Sequence, residues 1–418
     1  MRSTKFLCTV LAFGLTALFI LMSSHPVSAA ATEKVIYSFT GGKDEGSPYA
    51  GLVFDSAGNL YGTNAGGGVS DYYGTAFKLS PTRNGAWKIT VMHIFTGGTD
   101  GANPYSNLIL DKAGNVYGTT TSGGDLNYCE GLGCGTVFEL SPTSGGGWKE
   151  TILHRFTGGW DGADPYSGLV IDNAGDLYGT TRLGGELSGG RSGSGVVFEL
   201  SQSSNGWKDT RLYTFTGGDD GSDLYSGLTL DAAGNLYGVA TEGGRYGAGT
   251  VFRLEPGSTS WKLRVLHQFD YGYGGFIPRG ALTLDSAGNL YGTTSEGGSE
   301  GNGNVFELTP NSDGSWKETV IHNFTGNGGR YPLAGVISDS AVNLYGTTSY
   351  GGTVDGTAFK LSLSSNGKWQ QTVLHSFTGG KDGGAPYGGL MLDKSGNVYG
   401  TTTAGGDLGW GAVFQIVP

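Results

Sequence analysis

Tyr49, Tyr105, Tyr166, Tyr225, Arg279 and Tyr387, with Leu333 among them, recur at intervals of 54 to 61 residues, so one structural position is filled six times by a ring or a guanidinium. Tyrosines and an arginine gathered at one place can stack on and hydrogen-bond a neutral sugar. The same residues also suit plain packing of a connecting loop, and the sequence leaves both readings open. Arg279, the single departure in charge, leads the functional candidates. Trp160 and Trp410 stand apart from every periodic row, each in a Gly-rich loop, where exposed indoles stack on sugars or anchor partner proteins. Tyr72, Tyr73, Tyr128, Tyr246 and Tyr350 lie in loops of the same kind.

Carboxylates offer a second chemistry. Asp44, Asp100, Asp161, Asp220 and Asp382 sit in a Gly-Gly-x-Asp pattern, and Asp219, Asp220 and Asp223 form the densest cluster. Ca²⁺ wants about six to eight oxygens, and no copy supplies several carboxylates with the spacing of a dedicated loop. Calcium at Asp219, Asp220 and Asp223 is therefore the one ion the sequence leaves room for, against Asx-type capping of a turn. No other cofactor is expected. The chain has no His-Glu-x-x-His, no Gly-x-Ser-x-Gly, no phosphate loop and no Cys/His cluster of metal spacing. Cys129 and Cys134, five residues apart in one loop, read as a disulfide.

The elements that must position these residues come from a repeat. The phrase Gly51-Leu52-Val53-Phe54-Asp55-Ser56-Ala57-Gly58-Asn59-Leu60-Tyr61-Gly62-Thr63 returns with its Tyr at Tyr117, Tyr178, Tyr237, Tyr291, Tyr345 and Tyr399. Alternating apolar residues around Asp-x-Ala-Gly-Asn predict a tight hairpin. A third strand carries Phe77, Phe138, Phe198, Phe252, Phe306, Phe359 and Phe414; a fourth begins at Trp87, Trp148, Trp207, Trp261, Trp316 and Trp369. Period two over the fourth predicts a half-buried strand. The last unit lacks its Trp segment, and Glu33 to Gly42 reads as the missing piece. Four antiparallel strands per unit predict an all-β, seven-bladed β-propeller whose N-terminal strand completes the last blade. One hairpin, Asp339 to Asn343, has Val342 where the others have Gly, and a changed turn type is expected there. In this fold the Tyr and Arg279 positions come just before the innermost strands, at the mouth of the central channel. His93, His154, His267, His322 and His375 fall on outer strands that diverge from the axis, so the imidazoles are not expected to share a metal; interblade packing is their reading.

The phrase Asp-x-x-Gly-Asn-Leu-Tyr-Gly-Thr-Thr, the Gly-Gly after it, and Gly-Thr-Val-Phe-Glu-Leu-Ser-Pro resemble the GloVer (Gloeo_Verruco) tandem repeat family of exported bacterial proteins over residues 33 to 418. The resemblance implies an extracytoplasmic location and brings no activity and no catalytic residues. The hairpin phrase is also similar, more weakly, to NHL-type and kelch-type propeller repeats, in fold only. Some members of the family carry C-terminal sorting anchors; the end at Pro418 does not match them, and a soluble product is expected.

Residues 1–29 read as a signal peptide: Arg2 and Lys5, an apolar run from Phe6 to Met22, then Val27-Ser28-Ala29. Residues 30–418 are then one propeller domain, secreted, periplasmic or at the cell surface, with no membrane insertion after cleavage and a monomeric state. Lys and Arg number 25 against 36 Asp and Glu, a net charge of −11 that argues against nucleic acid as a partner. The expected function is non-enzymatic binding of an extracellular glycan or protein through the loop-rich face. The alternative is a carbohydrate-active enzyme, a lyase or hydrolase, at the channel mouth.

Overall fold

Apolar alternation and the Asp-x-Ala-Gly-Asn turn build the same inner hairpin seven times. The computed structural model describes residues 31–66, 73–185 and 192–418; the expected signal peptide and Tyr72 lie outside them. In the first blade the strands are Val53–Phe54, Leu60–Asn64, Thr75–Pro81 and Trp87–Ile94, hydrogen-bonded in that order from the axis outwards. Seven such antiparallel sheets form a seven-bladed β-propeller. Among the described residues the only helix is the short 3₁₀ turn Cys129–Gly131.

The ring closes through its ends. Thr32–Ser38 pairs antiparallel with Ala412–Val417, placing Lys34 opposite Gln415 and Val35 opposite Phe414, so the N-terminal strand is the outermost strand of the seventh blade. In the first blade Asp55 shows why the hairpin is tight: its Oδ1 accepts from Ala57 N and Asn59 N, each 2.9 Å away, and its Oδ2 from Asn59 Nδ2 at 2.6 Å and Tyr61 Oη at 3.0 Å.

Two expectations need correction. The turn at Val342 does not change type: Val342 has φ 61°, and Asp339 accepts from Ala341 N, Asn343 N, Asn343 Nδ2 and Tyr345 Oη just as Asp55 does from its equivalents. Four hydrogen bonds to one carboxylate hold the loop, and the β-branched residue is carried into the left-handed region at a cost. Val342→Gly should therefore raise stability by about 1 kcal/mol, seen as a higher thermal midpoint. The simple alternation of the outer strand also fails. His93 pairs with Ala76 but Val91 with Phe77, so Met92 is an extra residue, a β-bulge that turns its side chain into the core at 7% exposure. The bulge recurs in every outer strand, including Thr32–Ser38.

The core lies between blades. Phe39–Phe77, Phe95–Phe138, Phe156–Phe198, Phe215–Phe252, Phe269–Phe306, Phe324–Phe359 and Phe377–Phe414 form a ring of pairs with centroids 4.9–5.2 Å apart, one pair at each interface. Trp87, Trp148, Trp207, Trp261 and Trp369 pack edge-on against tyrosines of the neighbouring hairpin, as Trp148 does on Tyr61 at 6.2 Å.

Candidate functional site

The residues at the channel mouth are held by two backbone devices. Two residues before each mouth position the chain takes positive φ without glycine, at Ser47, Asn103, Asp164, Asp223, Ile277, Tyr331 and Ala385, with φ between 48° and 59°. Hydrogen bonds on both sides lock this conformation; Asp164 N donates to Cys134 O at 2.9 Å, and Arg182 N to Asp164 O at 3.0 Å. One residue after the mouth position, the carbonyl accepts a buried threonine hydroxyl from the blade before it: Thr63 on Ser106, Thr180 on Ser226 and Thr401 on Ala50, at 2.8–3.1 Å. Val239 breaks this belt, and there Thr241 Oγ1 instead holds Pro278 O, next to Arg279, at 2.9 Å.

Tyr49, Tyr105, Tyr166, Tyr225, Arg279, Leu333 and Tyr387 are brought together as expected, around a cavity of about 400 Å³ along the channel. Their rings are largely engaged with one another. Tyr105 and Tyr166 stack at 4.8 Å and 11°, while Tyr387–Tyr49, Tyr49–Tyr105 and Tyr166–Tyr225 are tilted or edge-on at 5.1–5.3 Å. The Arg279 guanidinium lies 4.7 Å from the Tyr225 ring centroid, and its Nε is buried without a hydrogen-bond partner. Burial, then the neighbouring phenols, push Tyr105 and Tyr166 above the usual phenol range, and burial first, then the phenol of Tyr350, pushes Tyr387 up to about 12. Tyr105, Tyr166 and Tyr387 are therefore neutral donors at neutral pH.

Arg182 is the functional candidate that sequence reasoning missed. Its Nη2 lies 2.6 Å from Asp164 Oδ2, and its Nη1 lies 3.3 Å from Asp223 Oδ1 and 3.2 Å from Tyr225 Oη. Together with Asn103, Tyr105, Thr121 and Tyr166 it lines a second cavity of about 320 Å³ beside the mouth. A signal was present: the equivalent positions hold Ala65, Thr121, Thr241, Ser295, Ser349 and Thr403, all small or hydroxylic.

The other candidates fall elsewhere. Trp160 is exposed, away from both cavities, with Arg211 5.7 Å from its ring centroid. Trp410 is not an open platform: half-buried, it lies over Gly41, where a Cβ would come within 2.3 Å of its Nε1, and its carbonyl accepts from Ser47 N at 2.9 Å. Closing the ring puts Gly41, far away in sequence, beneath the indole. Asp219, Asp220 and Asp223 do not meet. Asp220 caps its own turn, accepting from Thr216 N at 2.9 Å, Thr216 Oγ1 at 2.6 Å and Tyr213 Oη at 3.0 Å, while Asp223 faces Arg182. Cys129 and Cys134 are disulfide-bonded with Cα atoms 5.4 Å apart, fixing the carbonyl that receives Asp164 N.

The histidines stay apart from one another, yet His93, His154, His267 and His375 each meet a carboxylate. His154 and His375 lie 3.3 and 3.1 Å from Asp161 and Asp382, and His267 lies 3.7 Å from Glu318 of the next blade. Burial first, then nearby carboxylates, push Glu33 and Glu318 from an ordinary value of 4.5 up to about 7. The folded chain thus keeps protons that the unfolded chain has released, so this contribution to stability is complete below about pH 4.5 and is lost as pH rises through 7. Asp55, Asp111, Asp231, Asp339 and Asp393 act in the opposite sense: burial alone would raise them, but their turn hydrogen bonds outweigh it and hold them below 3.8. Stability should peak near pH 5, and Glu318→Gln should flatten part of the decline towards pH 8 in thermal melts.

The Gloeobacter/Verrucomicrobia repeat model matches residues 20–191, 133–355 and 288–418. No curated protein matches the sequence. Among solved structures, a luciferin-regenerating enzyme is similar over 93% of this chain and 96% of its own, at 12% identity and TM-score 0.44. A protein of unknown function from Dyadobacter fermentans gives 93% and 98%, 12% and 0.47. A putative glucose dehydrogenase from Thermus thermophilus gives 75% and 96%, 16% and 0.42. The repeat model spans the blades from first to last, and on that match the chain belongs to the Gloeobacter/Verrucomicrobia repeat family.

Proposed function

We propose that this propeller is an exported, non-enzymatic binding protein that takes an extracellular glycan at its channel mouth. The observation that carries the reading is Arg279: a guanidinium resting on Tyr225, with a buried Nε that no protein group satisfies, in a cavity rimmed by tyrosines. A buried donor without a partner costs about 1–3 kcal/mol, which a ligand hydroxyl or carboxylate would recover. The pre-set backbone favours this use, because positions locked before binding lose little entropy on it. Asp164, which lines the smaller cavity, and Asp223 are both engaged by Arg182, an arrangement that suits positioning better than proton transfer.

Screening the purified chain on a glycan array, followed by calorimetry on the hits, tests the reading. Arg279→Ala should weaken binding at least tenfold while leaving the melting curve near that of the wild type. Trp410→Ala should instead lower the melting temperature. Absence of any glycan hit, or undiminished binding by Arg279→Ala, would refute the proposal; depolymerisation of a bound polysaccharide would make the protein an enzyme.

A further inference from the structure

Among the described residues, one set of three imidazole or carboxylate side chains has ligand atoms within 4.8 Å of one another: His93, Asp100 and Glu150. His93 lies on Trp87–Ile94, Asp100 on the crossing that follows, and Glu150 on Trp148–Arg155 of the next blade. His93 Nε2 is 3.4 Å from Asp100 Oδ2 and 3.3 Å from Glu150 Oε1. One ring nitrogen carries at most one proton and can serve only one of these carboxylates. Glu150 Oε1 is buried and accepts no hydrogen bond. Both separations exceed the roughly 2.7–2.9 Å of a charge-assisted N–H···O bond. They match the spacing of about 3.3–3.4 Å between two ligands of a tetrahedral ion with bonds of about 2.0–2.1 Å.

The repeat supplies its own comparisons. At the register position of Glu150, blades that follow a histidine carry Asp209, Glu318, Gln371 or Glu33, whereas blades that follow Tyr37 or Tyr213 carry the apolar Ile89 or Leu263. The interface thus sets a polar side chain beside each histidine and an apolar one beside each tyrosine, but among the described residues a third donor closes on the imidazole only at the first. Asp209 is one methylene shorter than Glu150, and the crossing after His267 has no Asp at the position of Asp100. Asp100 is also fixed from behind, by Thr96 N on Oδ2 at 2.9 Å and Thr96 Oγ1 on Oδ1 at 2.6 Å, as a ligand carboxylate usually is. The three side chains keep between 15% and 21% exposure, enough for an ion to arrive from solvent.

We propose that His93, Asp100 and Glu150 form a site for a divalent transition-metal ion, zinc by its mixed nitrogen and oxygen donors, that clamps the first two blades together. The test uses the purified chain stripped with a chelator, dialysed against micromolar zinc and assayed for bound metal and thermal midpoint. About one zinc per chain and a raised midpoint are expected. Both should be lost in His93→Ala and in Glu150→Gln, a change that keeps the side chain's shape, and both should persist in His154→Ala, which removes an imidazole with only one carboxylate in reach. Absence of zinc uptake by the wild type would overturn the proposal, as would uptake unchanged in His93→Ala and Glu150→Gln. Equal loss in His154→Ala would place the ion elsewhere and count against it too.

Discussion

Deleting Thr32–Ser38 should abolish cooperative unfolding of the propeller, and the single change Phe39→Ala should cost about 3–5 kcal/mol. Phe39 has no exposed surface and stands 5.1 Å from Phe77, the pair that joins the seventh blade to the first. It sits in one core cluster with Leu52, Leu60, Leu79, Tyr399 and Val413, residues drawn from both ends of the chain. Without the strand, Ala412–Val417 becomes an unpaired edge, and the Phe77 side of the first interface faces water. Lys34→Ala, an exposed position on the same strand, is the control and should fall within about 0.5 kcal/mol of wild type. Urea unfolding followed by circular dichroism reads all three. A truncated chain with an unchanged midpoint and slope would mean that the ring does not depend on this strand.

Gly292→Ala is expected to destabilise by about 2–3 kcal/mol, more than a surface glycine would. Gly292 lies directly across the sheet from Phe306, and an added Cβ would stand 2.4 Å from Phe306 Cζ and 2.9 Å from Leu282 Cδ2. Phe306 is fully buried and pairs with Phe269, so the ring has nowhere to go. Phe306→Leu alone loses packing, but it removes the atom the methyl would strike. The double variant should therefore be more stable than the sum of the single changes predicts, by at least about 0.5 kcal/mol. Strict additivity would show that the methyl is accommodated by backbone movement.

These residues also mark how far the sequence could be read. The Gly after the repeat Tyr recurs in all seven phrases and was visible as a pattern, but its reason, a phenylalanine ring lying on the Cα, belongs to the strand register. Val342 was visible as an anomaly and was expected to change its turn; the Asp339 hydrogen bonds outweighed the side chain's preference. Met92 and its equivalents look like ordinary members of an alternating strand, because a one-residue bulge leaves composition untouched.

The sequence alone determined the architecture, since a repeat with complementary ends constrains strand count, hairpin chemistry and closure through local patterns of two to thirteen residues. It also put Tyr49, Tyr105, Tyr166, Tyr225, Arg279 and Tyr387 at one level of the fold, because equivalent repeat positions are equivalent in space. Which side chains touch was decided only in three dimensions. Arg182 reaching Asp223, Glu150 reaching His93 and Trp410 covering Gly41 all cross from one blade to the next or join the chain ends. Such contacts depend on side-chain length and interblade distance to within about an ångström, and a spacing of some sixty residues in sequence carries no information on that scale.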